Sequence, residues 1–419
     1  MTTEPDLPEA NPTKDAEPVA PPMPRLGLRE HIRPVVDTED ELAKACAEIA
    51  LGEGPIALDA ERASGYRYSQ RAYLVQIRRE GAGTWMVDPT AFDDLHELGD
   101  AFGDAEWILH AATQDLPCLA EVGLRPHSLF DTELAGRLLN LPKVGLASLV
   151  EHYLSMSLAK EYSAADWSTR PLPDPWLEYA ALDVEVLVEL RDAVTADLDS
   201  AGKLDWARQD FDALLDFTGP PERRDPWRRT SGIHKIRSRR ALAIVRELWT
   251  TRNELAANLD VTPGRILPDA SIVALALGPP ATVGALKSDR TMQRRGHRRY
   301  LDEWFAAIER GQALDETELP TSGQKTDGPP PARAWGDKDP VAAARLARVR
   351  ESISEIATQK NLPAENLIAP TPVRALAWQP PTELSDSIVA QFLAEAGARP
   401  WQLDLVAGPI FAALIDPKS

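Results

Sequence analysis

Five residues in three short motifs set the strongest limits on how this chain can fold. They are Asp59 and Glu61 in IALDAER, Asp115 in ILHAATQDL, and Tyr179 and Asp183 in EYAALDV. The first pair is spaced for a strand. Pro55 to Leu58 is a short apolar run that ends in acid, as a buried strand does, and side chains two apart on a strand share a face. Asp59 and Glu61 therefore project together, with Ala60 opposite. The last pair is spaced for a helix. Asp174 to Ser200 carries leucines and valines at helical intervals, so Tyr179 and Asp183, four apart, stack on one face. Asp115 follows the apolar stretch Trp107 to Leu109, at the start of an expected helix towards Val122. A carboxylate there suits a helix N-terminus, which is its plain structural alternative.

Two carboxylates side by side in an apolar setting repel and resist ionisation. A cation between them removes that penalty. Hard oxygen ligands select Mg²⁺ or Mn²⁺ over zinc, and the seven histidines and two cysteines show no zinc-ligand spacing. Two such ions about 3.5–4 Å apart activate a water and stabilise the departing oxygen when a phosphodiester is cut in line. Tyr179 is a poor base, since a phenol titrates near about 10, so its expected role is to orient that water. Each motif alone has an ordinary reading: a surface D-x-E, a half-buried helix face, a helix cap. Their order, on a strand end, a strand-to-helix turn and a later helix, points to one shared site.

On these residues the chain resembles the DEDD exonucleases of the tyrosine subclass, and among them the ribonuclease D family. That family carries D-x-E in its first motif, an aspartate after a strand in its second and Y-x-x-x-D in its third. The resemblance thus implies Asp59, Glu61, Asp115, Tyr179 and Asp183 as catalytic residues and the four acids as metal ligands. Asp59, Glu61 and Asp183 would hold the nucleophile-side ion, and Asp59 would bridge to the second, with Asp115 acting on it directly or through water. The stretches YLVQI (Tyr73–Ile77), LFDTELA (Leu129–Ala135) and DWSTRPLP (Asp166–Pro173) extend the likeness across 34–215. Ala60 departs from the threonine of many relatives, but its backbone remains available to the substrate end. The implied fold is α/β and ribonuclease H-like, a mixed sheet flanked by helices. The implied activity is 3′→5′ exoribonuclease action that releases nucleoside monophosphates, with tRNA precursors or other structured RNA as substrate. A 3′→5′ DNA exonuclease is the alternative enzyme, since contacts to the 2′-hydroxyl distinguish the two and no motif reports them. A non-catalytic RNA-binding protein is the alternative from another class, and the intact acids argue against it.

Along the chain, 1–28 is rich in Pro, Glu, Asp and Ala and reads as a disordered tail. A helix over Glu39–Ala50 precedes the first acid strand. Strands are expected at Tyr73–Arg78, Trp85–Val87, Trp107–His110 and Ser128–Asp131, with a helix at Thr132–Leu139. After Thr218 strand patterns stop. A basic linker, 216–232, leads to a helical block, 233–312, then a Gly/Pro/Asp-rich linker, 313–338, and a second block, 339–415. The blocks repeat at an offset of 101: Ala274-Leu275-Ala276 matches Ala375-Leu376-Ala377, and Pro279-Pro280 matches Pro380-Pro381. Each resembles an HRDC domain, a helical nucleic-acid-binding module, in the order that ribonuclease D has it. The second block is read as shaping a closed, ring-like arrangement.

The net charge of −19 conceals an uneven distribution: Pro220 to Arg299 holds 17 Lys and Arg against 7 Asp and Glu. Phosphate contacts are made by local patches, so overall acidity is compatible with RNA. Arg223, Arg224, Arg228, Arg229, Lys235, Arg237, Arg239, Arg240, Arg294 and Arg295 are the candidate RNA contacts, against the plain alternative of a solvated face. Trp227 either stacks on a base or anchors the linker. Trp167, Arg170 and Pro171 are candidates for the cleft wall, with plain packing the favoured reading for Trp167. Gln76 is expected to satisfy local hydrogen bonds, Asp131 to cap a helix, and His110 to be structural. Cys46 and Cys118 read as small buried hydrophobes. With no leader pattern and no apolar run of about 18 residues, a cytoplasmic protein with no membrane association is expected, acting as a monomer.

Overall fold

The computed structural model describes residues 23–158, 162–321 and 328–415. A five-stranded mixed sheet organises the first half. Its strands are β1 (Glu53–Arg62), β2 (Ala72–Glu80), β3 (Gly83–Val87), β4 (Trp107–Leu109) and β5 (Leu129–Asp131), in the order β3-β2-β1-β4-β5. β1 runs antiparallel to β2 and parallel to β4, and β4 is parallel to β5. The central place of β1 explains the apolar run before the acids. Ile56, Ala57 and Leu58 are all fully buried, as a strand covered on both faces requires.

Alternation along β1 then sorts the two faces. Ile56, Leu58 and Ala60 join a core with helices α1 (Glu39–Ala50), α2 (His96–Phe102) and α3 (Leu116–Glu121). Helix α1 keeps the bounds expected for it. Thr38 caps its start by accepting from Glu41 N, while the Glu41 carboxylate accepts from the Thr38 hydroxyl at 2.9 Å, a reciprocal arrangement close to a capping box. Ala57 faces the other core, with Ile108, Phe130 and helices α4 (Thr132–Leu138) and α5 (Leu146–Leu154). Asp59 and Glu61 follow Ala57 at period two.

The single helix expected over Asp174–Ser200 is two. Helix α6 (Asp174–Glu185) packs on β1 and β2, and α7 (Leu187–Ser200) packs on β1 and β4. The break falls at Val186, with φ −124° and ψ 11°. A twisted sheet turns beneath the helix layer, and the bend lets both helices keep their apolar faces on it. Helix α8 (Leu204–Asp212) closes the layer under β5. The expected tail also ends sooner than residue 28, and residues 1–22 lie outside the described ones. Leu26 is buried, its N–H donates to Ser157 O at 2.9 Å, and Ser157 N–H returns a 2.9 Å bond to Pro24 O.

Among the described residues, no strand follows α8. The first helical block comprises α9 (Arg239–Leu259), α10 (Pro263–Ile266), α11 (Asp269–Leu277), α12 (Val283–Ser288), α13 (Arg295–Arg298) and α14 (Leu301–Ala313). The second comprises α15 (Trp335–Lys338), α16 (Pro340–Gln359), α17 (Ala364–Leu367), α18 (Pro370–Trp378), α19 (Asp386–Glu395) and α20 (Pro400–Ile415). Helices α16, α17 and α18 begin 101 positions after α9, α10 and α11, so the sequence repeat is a repeat of structure.

The blocks dock at separate places on the sheet domain. The first grips the loop after β1: Thr262 N donates to Tyr66 O at 2.9 Å, Ser69 N to Asp260 Oδ1 at 2.8 Å, and Asn253 Nδ2 to the Tyr68 hydroxyl at 3.0 Å. The second shares one continuous core with α4, α7 and α8. Trp206 stacks on Trp401 with ring centroids 4.7 Å apart. Buried Lys203 donates from Nζ to Leu138 O and Asn361 O, both at 2.7 Å.

Candidate active site

The structure brings all five motif residues to one cleft of about 590 Å³. Carboxylate oxygens of Asp59 and Glu61 on β1 and of Asp183 on α6 lie within 4.8 Å of one another. Asp115 and Tyr179 line the same cleft, together with Arg62, His110 and Gln114. Strand period and helix period thus meet across the face where α6 lies on β1, as the spacings required.

Asp115 stands at the N-terminal end of α3 but makes no capping hydrogen bond there. It is only 5% exposed. The capping role belongs to Asp131, whose carboxylate accepts from Glu133 N at 2.9 Å and Leu134 N at 3.1 Å at the start of α4. The same carboxylate accepts from Ala111 N at 3.1 Å and Ala112 N at 2.9 Å. Ala111 has φ +59°, a conformation that L residues rarely adopt. Asp131 therefore holds the turn that delivers Asp115 to the cleft.

Tyr179 is positioned by rings. Trp167 lies at 6.5 Å and Tyr162, edge-on, at 6.0 Å between centroids, and the phenol faces the Asp183 carboxylate. Trp167 itself is fully buried, so it supports Tyr179 from behind. Here the expectation for the cleft wall is corrected: Arg170 and Pro171 do not line the cleft, and Ser163, Ala164 and Ala165 do, while Trp167 takes the packing role. Arg170 is a rivet. Its guanidinium donates to Trp167 O at 2.8 Å, Tyr73 O at 2.7 Å and Asp88 Oδ1 at 2.7 Å, which holds the loop before α6 onto the sheet. Gln76 is corrected too. It sits opposite Asp59 in the β1–β2 register, fully buried, and its amide has no partner among the described residues.

The electrostatics follow from burial. Burial pushes the Asp59 carboxyl up to about 6. Burial, with the charges of Asp59 and Asp183 added, pushes Glu61 up to about 10. Asp115 and Asp183 are raised well above the carboxylate range by burial first and by Asp59 second. Burial and the charge of Asp183 raise Tyr179, so it remains a phenol at neutral pH. Burial lowers His110 to about 4, and its neutral ring bonds through Nδ1 to Thr132 Oγ1 at 2.9 Å. Four carboxyls in one low-dielectric cleft cannot all ionise without a cation. Closely spaced oxygen donors with that repulsion fit a hard divalent metal.

The arginine candidates divide. Arg228 donates to Asp225 Oδ2 at 3.1 Å and Thr321 O at 3.2 Å. Arg239 donates to Glu316 O at 3.0 Å and Leu319 O at 2.8 Å, and Arg240 to Gln312 O at 3.1 Å and Glu316 Oε1 at 3.0 Å. These three lace the start of the first block to the segment after α14. Arg223, Arg224, Arg229, Lys235, Arg237, Arg294 and Arg295 are exposed. Trp227 is 4% exposed within the core of the first block, so it anchors the linker and does not stack on a base. Arg62 escaped sequence reasoning altogether. It follows Glu61 directly, but alternation assigns it to the opposite face.

Residues 34–199 match a family model described as 3′–5′ exonuclease, and residues 241–308 match the HRDC domain. Residues 328–414, which take in nearly all of the block 339–415 expected as a second HRDC-like module, match a model described as 3′ to 5′ exonuclease C-terminal domain. The protein called ribonuclease D of Jannaschia sp. (strain CCS1) is 30% identical over 300 residues, covering 68% of this chain and 76% of the relative. A crystal structure of a protein from Bifidobacterium adolescentis is 40% identical with a TM-score of 0.87, covering 94% of this chain and 100% of that one. The structure of Escherichia coli RNase D, described as an exoribonuclease involved in structured RNA processing, is 25% identical with a TM-score of 0.64, covering 87% of this chain and 97% of that one.

Proposed function

The chain belongs to the ribonuclease D family of 3′–5′ exoribonucleases, and on that premise we propose that it trims structured RNA with two divalent ions. The observation that carries this reading is the meeting of Asp59, Glu61 and Asp183 within 4.8 Å, with Asp115 and Tyr179 in the same cleft. Asp59, Glu61 and Asp183 would hold an ion on the nucleophile side, and Asp59 with Asp115, directly or through water, a second, Mg²⁺ or Mn²⁺ in each case. When bound, the ions supply an activated water and a counter-charge for the departing 3′ oxygen.

The chain's own residues do the rest. Tyr179 keeps its proton and orients the attacking water. Asp115 is buried and Glu61 half-buried, which limits the water around the acids and strengthens the electrostatic contacts among them. Exposed Arg223, Arg224, Arg229, Lys235, Arg237, Arg294 and Arg295 contact the RNA backbone outside the cleft. All five site residues come from one chain, which supports a monomer as the working unit. No helix among the described residues is long and apolar enough to cross a membrane, consistent with a cytoplasmic role in maturing tRNA 3′ ends.

The test is metal-dependent release of nucleotides from an RNA 3′ end. Asp59→Ala abolishes it, and unchanged release by that variant ends the assignment. A matched DNA oligomer, run beside the RNA, is degraded more slowly. Digestion of a 3′-extended tRNA precursor, with a flush-ended duplex resistant, supports the substrate. Tight RNA binding without hydrolysis in Mg²⁺ or Mn²⁺ would instead make the protein a scaffold.

A further inference from the structure

Arg62 lies in the cleft and belongs to none of the three motifs. Strict alternation would place it across the sheet, beside Ala60. The register breaks at that point: Glu61 pairs with Leu74 but Arg62 with Ala72, so Tyr73 is left over on β2. A bulge adds local twist and re-aims neighbouring side chains, and Arg62 lines the same cleft as Glu61.

Its contacts are unlike those of the structural arginines. Arg170 commits its donors to Asp88, Trp167 and Tyr73. Arg62 has one ion-pair approach among the described residues, Nη2 to Asp115 Oδ1 at 3.9 Å, with its side chain 25% exposed. That distance is beyond hydrogen-bond reach, so the N–H donors of the guanidinium stay available. It is also the one Lys or Arg among the residues that line the cleft.

Charge shows what such a cation is for. Four carboxylates and two divalent ions cancel, which leaves Arg62 as the surplus positive charge. A phosphodiester enters with a single negative charge and acquires a second on its non-bridging oxygens as water adds to phosphorus. A planar guanidinium matches two phosphate oxygens at once. We propose that Arg62 is a further catalytic residue, one that leaves Asp115 and donates to the non-bridging oxygens of the scissile phosphate. The inference rests on the metal-dependent reading above. In the step, the water oxygen forms the new bond to phosphorus and gives up a proton to solvent. The bond from phosphorus to the 3′ oxygen breaks, and that oxygen takes up a proton. Arg62 keeps its own protons throughout.

The experiment compares Arg62→Ala and Arg62→Gln with the wild type in two measurements. The first is the rate of nucleotide release from a single-stranded RNA at saturating Mg²⁺. The second is Mn²⁺ binding without RNA. We expect kcat to fall about 10²–10³-fold, the range for removing one preorganised donor to developing charge. Mn²⁺ binding stays the same or tightens, because Asp115 loses a competing cation. A kcat within about threefold of the wild type at saturating metal overturns the proposal. If Arg62→Ala loses Mn²⁺ binding by misfolding, Arg62→Gln, which keeps the bulk, decides by the same criterion. Wild-type release by Asp59→Ala would defeat the metal reading itself and is scored separately.

Discussion

Glu61→Gln is the perturbation that tests the electrostatics of the cleft most directly. In the metal-free fold the Glu61 carboxyl moves from 4.5 to about 10, chiefly by burial and then by the charges of Asp59 and Asp183. The fold therefore retains a proton that the unfolded chain has lost at neutral pH. A group raised on folding contributes stability that is fully present below its unfolded value and is lost as pH rises towards its folded value. Here that window opens near pH 4.5 and closes near pH 10. One retained proton changes the unfolding free energy by about −1.36 kcal/mol per pH unit, or roughly 3 kcal/mol between pH 6 and 8. The neutral glutamine removes this proton's share of the slope, leaving what Asp115 and Asp183 contribute. Urea unfolding, followed by tryptophan fluorescence in EDTA at steps of pH, reads the difference. Repeating the wild type in Mn²⁺ should flatten or reverse the slope, because metal binding releases the protons. Parallel pH profiles for the wild type and Glu61→Gln in EDTA would refute the account of a proton-holding acid cluster.

Asp131→Asn replaces Oδ2, the acceptor for Ala112 N, with a donor, so one buried N–H loses its partner; unfolding measurements should show a loss of about 1–3 kcal/mol, while Mn²⁺ still binds. Asp115→Asn should do the reverse, abolishing nucleotide release at little cost to stability. The double variant Arg294→Ala with Arg295→Ala should reduce the salt dependence of RNA binding by about 1.4 in log–log slope, at about 0.7 per phosphate contact on single strands. Arg239→Ala should instead lower the melting temperature and leave that slope unchanged. Burial raises Asp210 to about 6 against the opposing effect of Arg399, so docking of the second block weakens as pH rises through that value. Protease cleavage at α19 and α20 should then grow easier between about pH 4 and 6 in the wild type but not in Asp210→Asn.

The parts of the site legible in the sequence are those set by local period. Asp59 with Glu61 and Tyr179 with Asp183 share faces whatever surrounds them. Asp131 was legible as a cap because Thr132 and Glu133 begin a helix immediately after it. The rest depends on distant partners. Arg62 reaches the cleft through a register break that arises in β2, ten or more positions along the chain. The break between α6 and α7 reflects sheet twist, which no residue at Val186 encodes. Arg239 and Arg240 look like RNA contacts in a charge run, yet their donors meet carbonyls more than 70 residues away. Charge patterns record how many cations a segment has and not what they bond.

That distinction bears on how an acidic protein handles a polyanion. An arginine bonded to backbone carbonyls keeps its charge and still shapes the field, but it has fewer donors, in a fixed orientation, for a phosphate. All 17 cations between Pro220 and Arg299 therefore contribute to attraction at a distance, which fades beyond about 8 Å at physiological ionic strength. Close contact falls to the exposed ones alone. The basic linker and the first helical block carry them, and the block is fastened to Tyr66, Tyr68 and Ser69, within ten positions of Glu61 in the loop that leaves β1. Ser64 and Gly65 of that loop line the cleft. The basic surface and the acids are thus joined by a few residues of chain, so a change that loosens Asp260 or Asn253 should disturb the mouth of the cleft as well as the block it belongs to.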